Sequence, residues 1–181
     1  LTFHGNGNTT VTINIETGTG QLIKNGAGTL TLSGFNTYAG NTTIRGGTLA
    51  LGSSGSSSGS ITITPQIDVQ TAANFDVSAV SGFTLDNAQT LKGNGTVIGP
   101  VVVNNGTVSP GASVGTLSSG SQTWNGGGAY KFELSSAVNS TGWDRLNITG
   151  TLDVQATSGY QFTVKLVSMA STNTAGLVPD F

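Results

Sequence analysis

Two copies of one short phrase, Gly28-Thr29-Leu30-Thr31-Leu32 and Gly47-Thr48-Leu49-Ala50-Leu51, stand 19 residues apart, counted from Thr29 to Thr48. In each copy leucines alternate with small residues, the period-2 pattern of a strand buried on one face. Between the copies lie Gly34, Asn36, Gly40 and Asn41, residue types that turn a chain and do not extend it. A strand recurring once per fixed length of chain predicts a solenoid, because so short a unit cannot bury its apolar side alone and must stack on its neighbours. The expected fold is all-β: a right-handed, single-stranded parallel β-helix. With coils of about 20 residues, the 181-residue chain makes about nine of them.

The residues around these phrases carry a resemblance. Leu22-Ile23-Lys24-Asn25-Gly26-Ala27-Gly28-Thr29-Leu30-Thr31-Leu32-Ser33-Gly34 is followed by Asn36-Thr37-Tyr38-Ala39-Gly40-Asn41-Thr42-Thr43-Ile44 and then by Gly46-Gly47-Thr48-Leu49. Together they resemble the autotransporter-associated β-strand repeat, which reads hydrophobic-x-K-x-G-x-G-T-L-x-L-x-G-x-N-x-Y-x-G-x-T-x-I/V-x-x-G-T-L. The segment LKGNGTVIGPVVVNNGTVSPGASVGTL from Leu91 is similar to the rungs that follow such repeats in bacterial surface proteins, and Asp144 to Leu152 fits the same context. The resemblance implies a passenger-type segment displayed outside a bacterial cell. One departure is that no outer-membrane barrel follows the passenger-like part.

The domain organisation expected is a single β-helix segment, 1–181, of a longer chain. It holds the repeat at 20–52, further rungs at 91–152 and a candidate cap at 124–170. Val11-Thr12-Ile13-Asn14-Ile15 alternates cleanly and predicts a first rung or capping strand with three aliphatics on one side. Gly52 to Gly59, GSSGSSSG, has the composition of a linker, but Ile61-Thr62-Ile63 resumes the alternation at once. It is therefore expected to be a loop leaving the solenoid. Residues 66–90 are the least regular, with Phe75, Val77, Phe83 and Leu85 as strand candidates. Gly95-Thr96-Val97, Gly106-Thr107-Val108 and Gly115-Thr116-Leu117 follow at intervals of 11 and 9, which suits successive sides of one coil. After Trp124 the strands become more amphipathic: Tyr130 to Leu134 places its charges on one face and its apolar groups on the other. Ala72-Ala73-Asn74 and Ser168 to Thr174 have room for a turn of helix at most.

Charge narrows the function. Only 8% of residues are charged and the net charge is −2. The six basic residues (Lys24, Arg45, Lys92, Lys131, Arg145, Lys165) are scattered, so neither nucleic acid nor an anionic membrane surface is an expected partner. No apolar run approaches the roughly 20 residues that a spanning helix needs. The chain has no cysteine, which removes disulfides and thiolate metal sites.

Catalysis needs titratable groups that converge. The eight acids (Glu16, Asp68, Asp76, Asp86, Glu133, Asp144, Asp153, Asp180) are spread thin. Asp144 and Asp153, nine apart, form the pair best placed to meet, although Asp144 equally suits a turn cap bonded to backbone N–H groups and paired with Arg145 or Lys131. The one histidine, His4, makes a multi-histidine metal site or a His-based triad impossible. The nonapeptide of calcium-binding solenoids is missing. Gly26-Ala27-Gly28 and Gly93-Asn94-Gly95 are not followed by helices, so they read as corners and not phosphate loops. Trp124, Trp143, Tyr38, Tyr130 and Tyr160 either fill the core or, if exposed in a row, offer faces to sugar rings.

No catalytic, cofactor or metal residues are therefore expected. The function that follows is a non-catalytic stalk, passenger or fibre subunit, extracellular or on the bacterial surface. The alternative is an adhesin module that holds glycan or a host surface. Expected partners are neighbouring coils of the same longer chain or end-to-end copies of itself.

Overall fold

A computed structural model describes residues 1–54, 57–86, 88–139, 141–171 and 174–177. Among them the chain is all-β, with no helix. It is a parallel β-helix whose coils share up to three parallel sheets. The first sheet stacks Thr2–Phe3, Leu22–Lys24, Thr42–Ile44, Gln66–Val69, Thr90–Gly93, Thr107–Pro110, Ala129–Leu134 and Thr163–Ser171 in chain order. The second runs from Thr9–Val11 through Thr29–Leu32, Gly47–Leu51, Ala73–Asp76, Thr96–Ile98 and Thr116–Ser119 to Arg145–Ile148. A third begins only in the fourth coil, with Phe83–Leu85, Val101–Val103, Gln122–Trp124 and Leu152–Val154.

The two founding phrases lie one over the other as expected. Thr29 pairs with Thr48, Leu30 with Leu49 and Leu32 with Leu51, all in parallel register. Both pairs of leucines are buried at 1% exposure or less. The inward column continues as Leu49, Phe75 and Val97, so each buried side chain rests on the one below. Burial of each contributes about 1.5–3 kcal/mol. Corner glycines let adjacent coils approach. A Cβ on Gly28 would sit 2.1 Å from the carbonyl oxygen of Gly7, and one on Gly47 (φ +63°) would sit 2.4 Å from that of Gly28. Only glycine fits at such a distance.

Coil length departs from the expected 20. The register gives 20 residues from Leu22 to Thr42, 25 to Ile67, 24 to Leu91, 17 to Val108, 22 to Tyr130 and 34 to Val164. Longer coils leave seven of them, and the strand at Thr163–Ser171 opens an eighth, in place of about nine. The extra length is in excursions at corners. One is a small antiparallel hairpin in which Ser53 pairs with Ser58 and Ser54 with Ser57. Gly59 N–H closes its base on the Gly52 carbonyl at 2.7 Å, and Phe35 then bridges Ser60. The serine-rich stretch is thus a loop out of the solenoid, as its flanks predict. Residues 55 and 56 lie outside the described residues, as do Pro179, Asp180 and Phe181.

Three local expectations need correction. Val11 to Ile15 does not keep its aliphatics on one side, because Ile13 is 74% exposed while Ile15 is buried. The strand ends at Val11, and the chain bends so that the Asn14 side chain can accept Phe35 N–H at 2.8 Å. Ser168 to Ser171 is not helical but closes the strand Thr163–Ser171, which pairs with Ala129–Leu134 as far as Ser168 and then antiparallel with Thr174–Ala175; residues 172 and 173 lie outside the described residues. Ala72-Ala73-Asn74 is a tight corner (Ala72 φ +61°) that feeds the strand Ala73–Asp76. The irregular 66–90 stretch is a full three-sided coil, with Phe75, Val77, Phe83 and Leu85 all buried.

Candidate functional site

The most highly organised polar groups are buried at the corners of the repeat. Lys24 faces the core and is 3% exposed. Its ammonium donates to the carbonyls of Asn25 (3.0 Å), Gly26 (2.9 Å) and Gly46 (3.1 Å), tying a corner to the next coil. Burial lowers its pKa.

Asn36, 1% exposed, joins three coils. Its side-chain oxygen accepts Ile15 N–H at 3.0 Å, and its amide donates to the carbonyls of Gly34 (2.9 Å) and Ser60 (3.0 Å). Tyr38, also 1% exposed, has its hydroxyl 2.7 Å from that of Thr42. Thr42 lies 3.2 Å from the Thr64 hydroxyl, which donates to the Gly40 carbonyl at 2.6 Å. Burial pushes the Tyr38 phenol up to about 12, against the opposing pull of its bond to Thr42. The lysine, asparagine and tyrosine of the repeat pattern are therefore internal fasteners, and their fixed spacing in the sequence was the available signal.

A second buried polar cluster lies in the seventh coil. Asp144, 2% exposed, accepts Gly115 N–H at 2.8 Å with one oxygen and Glu133 N–H at 2.9 Å with the other. It caps corners of two coils, as the turn-cap reading has it. Its expected ion pair goes elsewhere: Lys131 bonds Glu133 at 2.6 Å, the one ion pair among the described residues. Burial pushes the Asp144 carboxyl up to about 6. The two backbone N–H bonds pull it down, nearby Glu133 pushes it up, and Lys131 pulls it down. Burial of Glu133 itself, at 5% exposure, was not legible in the sequence, because alternation along Ala129–Leu134 puts it on the side opposite Tyr130 and Phe132.

Asp153 is not brought to Asp144. It stands on the third sheet and accepts the Gln155 side chain at 2.7 Å, whereas Asp144 opens the second-sheet strand Arg145–Ile148. His4 is exposed beside the first strand, 3.5 Å from the Asn25 amide. Among the described residues no three His, Cys, Asp or Glu side chains gather as a metal set would. The aromatics do not form a row. Tyr38 is internal, Trp124 stacks on Phe162 at 4.3 Å and Tyr130 lies 5.8 Å from Trp124. Tyr160 is 53% exposed and bonds Asn105, and Trp143 is half-buried at the corner before Arg145.

Residues 22–51 match the family described as the passenger-associated-transport-repeat. The likeness lies in that stretch of the chain. Every fastener just described in the second and third coils begins within it, since Lys24, Asn36, Tyr38 and Thr42 are its own residues. The chain is also similar to an extracellular serine protease of Serratia marcescens, 36% identical over 100 residues. That match covers 55% of this chain and 7% of the relative. No solved structure matches the chain.

Proposed function

We propose that this chain is a non-catalytic, load-resisting rod within a secreted autotransporter-type passenger. The observation that carries the reading is the repeat itself: its polar residues are spent on joining coils, and its apolar residues on one continuous core. At about 4.8 Å per coil, seven coils give a rod on the order of 35 Å long. A secreted or surface-exposed location goes with both the repeat and the extracellular relative. The protease named in that relative is not carried over, since the shared 100 residues are 7% of its length.

The rod is also proposed to continue. Inward-facing side chains of its last rungs are open, with Leu152, Val154, Val164 and Leu166 exposed by 45%, 56%, 61% and 66%. These side chains stand in register above Gln122, Trp124, Tyr130 and Phe132. The occupant that fits them is the next coil of a longer passenger, in keeping with a relative many times longer than the match.

Limited proteolysis tests the rod. Cleavage by a broad-specificity protease is expected only at the 52–59 and 135–143 excursions, with the coils surviving. Digestion that proceeds evenly through the coils would remove the reading.

A second reading, a module that holds glycan, is favoured by one feature, the groove at the corner between the first and second sheets.

A further inference from the structure

Three depressions of about 270, 360 and 660 Å³ line up along one edge of the rod. The first shares Thr71 and Asn94 with the second, and the second shares Thr116, Trp143 and Arg145 with the third, so they form one groove. The first two lie at the corner between the first and second sheets, and the third runs from that corner onto Phe132, Leu146 and Asn147 of the flanking strands. Arg45 marks that corner in the third coil, Gln70 in the fourth, Asn94 in the fifth, Gly115 in the sixth and Trp143 in the seventh. Four coil steps make the groove on the order of 19 Å long.

Its chemistry is uneven in a chain so poor in charge. Arg45 and Arg145, at opposite ends, are exposed, and their guanidinium groups make no hydrogen bond or ion pair among the described residues. Asp68 adds a half-buried carboxylate to the groove, which the Gln70 amide approaches at 3.4 Å. Asp144 turns both oxygens inward to backbone N–H groups. Asn94 uses its side-chain oxygen on Thr116 N–H at 2.9 Å, which leaves its amide N–H groups to the groove. Trp143, half-buried, lines both the second and third depressions.

We propose that this groove binds an extended acidic oligosaccharide, with sugar faces on Trp143 and carboxylates on Arg145 and Arg45. A guanidinium takes a carboxylate through two parallel N–H bonds, and a free one at a groove end is placed for it. An indole offers a broad apolar face beside a polar rim, as a sugar ring requires. Amides at Asn94 and Gln70 supply bonds to hydroxyls between the charged ends. The groove is a feature of the rod's side, so this inference rests on the second reading and leaves the rod reading standing if it fails.

The test uses the full chain with isotope-labelled backbone and indole groups, titrated with tetragalacturonate and, separately, with neutral cellotetraose. Tetragalacturonate is expected to shift the Asn94 and Trp143 signals saturably, with cellotetraose at least about tenfold weaker. Arg145→Gln and Arg45→Gln are each expected to weaken the acidic ligand about tenfold, and raised salt to weaken it further. Neither arginine side chain has a partner among the described residues, so both variants are expected to keep the fold; Trp143→Ala is read only if its melting point is unchanged. A heparin-derived tetrasaccharide that binds in place of the uronate reassigns the acid from carboxylate to sulfate and overturns the carboxylate assignment. No saturable shift at millimolar ligand, equal binding of the neutral sugar, or unchanged affinity in both arginine variants each overturns the proposal. Protease resistance of the coils is measured on the same sample and is unaffected by any of these outcomes.

Discussion

Replacing Asn36 by alanine is expected to loosen three coils at once, and the cost follows from its bonds. Ile15 N–H has the Asn36 side-chain oxygen as its acceptor, 3.0 Å away in a buried corner. Without it, that donor is left unpaired, at about 1–3 kcal/mol. The two carbonyls that lose the Asn36 amide fare better. Gly34 O still accepts Ser60 N–H at 3.2 Å, and Ser60 O still accepts Asn36 N–H at 3.1 Å. Each of those losses is about 0.5–1 kcal/mol. The total is about 2–5 kcal/mol, or on the order of 10 °C in melting temperature for a domain of this size. Urea unfolding measures it as a lower midpoint at unchanged slope. Asn41→Ala is the control: that side chain is exposed, so the change is expected to stay within about 0.5 kcal/mol. Because solenoid stability is summed over neighbouring units, the loss is also local. Hydrogen exchange at Ile15 is expected to accelerate far more than at Val103, four coils further on. An Asn36→Ala protein within about 1 kcal/mol of wild type, or one whose exchange rises equally at both sites, refutes the fastener reasoning.

Three further outcomes follow. Leu49→Ala opens a void between Leu30 and Phe75 in a fully buried column and is expected to cost about 2–5 kcal/mol by urea unfolding; a cost below about 1 kcal/mol contradicts the continuous core. Lys24→Met keeps the buried stem but strips the donor from three corner carbonyls, so a loss of about 1–3 kcal/mol and faster exchange at Gly46 are expected, and a more stable variant refutes the role. Asp144 holds its proton more tightly folded than unfolded, its pKa rising from 3.8 to about 6, so stability falls as pH rises from about 4 to about 6 and is flat above. Discounted for solvent screening this is about 1–2 kcal/mol, read as a difference in urea midpoint that Asp144→Asn abolishes; a wild type that gains stability relative to Asp144→Asn across that window refutes it.

The coil-forming part of the sequence was legible because its signals are local. Gly-Thr-Leu phrases mark strands, and the interval of 9 from Thr107 to Thr116 does join successive sides of one coil, but the interval of 11 from Thr96 to Thr107 passes over the third-sheet strand Val101–Val103 into the next coil. The coil count failed because excursions add residues without adding a rung, and a serine-rich hairpin or the 135–143 stretch carries no mark of how far it leaves the axis. Val11 to Ile15 failed for a related reason. Alternation predicts facing only while the strand lasts, and here Asn14 bends the chain by bonding the coil above. Of the polar groups, the repeat's Lys24, Asn36 and Tyr38 were visible as a pattern but not as a function. Burial of Glu133 runs against the alternation of its own strand, and the groove depends on which corners align. Neither is written in any one segment.

The same facts explain how coils of 17 to 34 residues stay aligned. Alternating leucines decide which side of a strand faces inward, but a slip of two residues restores that pattern, so the apolar core alone does not fix the register. Buried polar groups do. Asn36 reaches Ile15 on one neighbouring coil and Ser60 on the other, Lys24 reaches Gly46, Thr42 reaches Thr64, and Asp144 holds Gly115 to Glu133. A two-residue slip breaks each of these at about 1–3 kcal/mol apiece. Chain length between the fasteners is then free to vary, and it varies at corners. A rod built this way can lengthen or exchange its surface excursions without disturbing its axis, and that freedom puts a groove such as the one beside Trp143 at a corner and not on a sheet face.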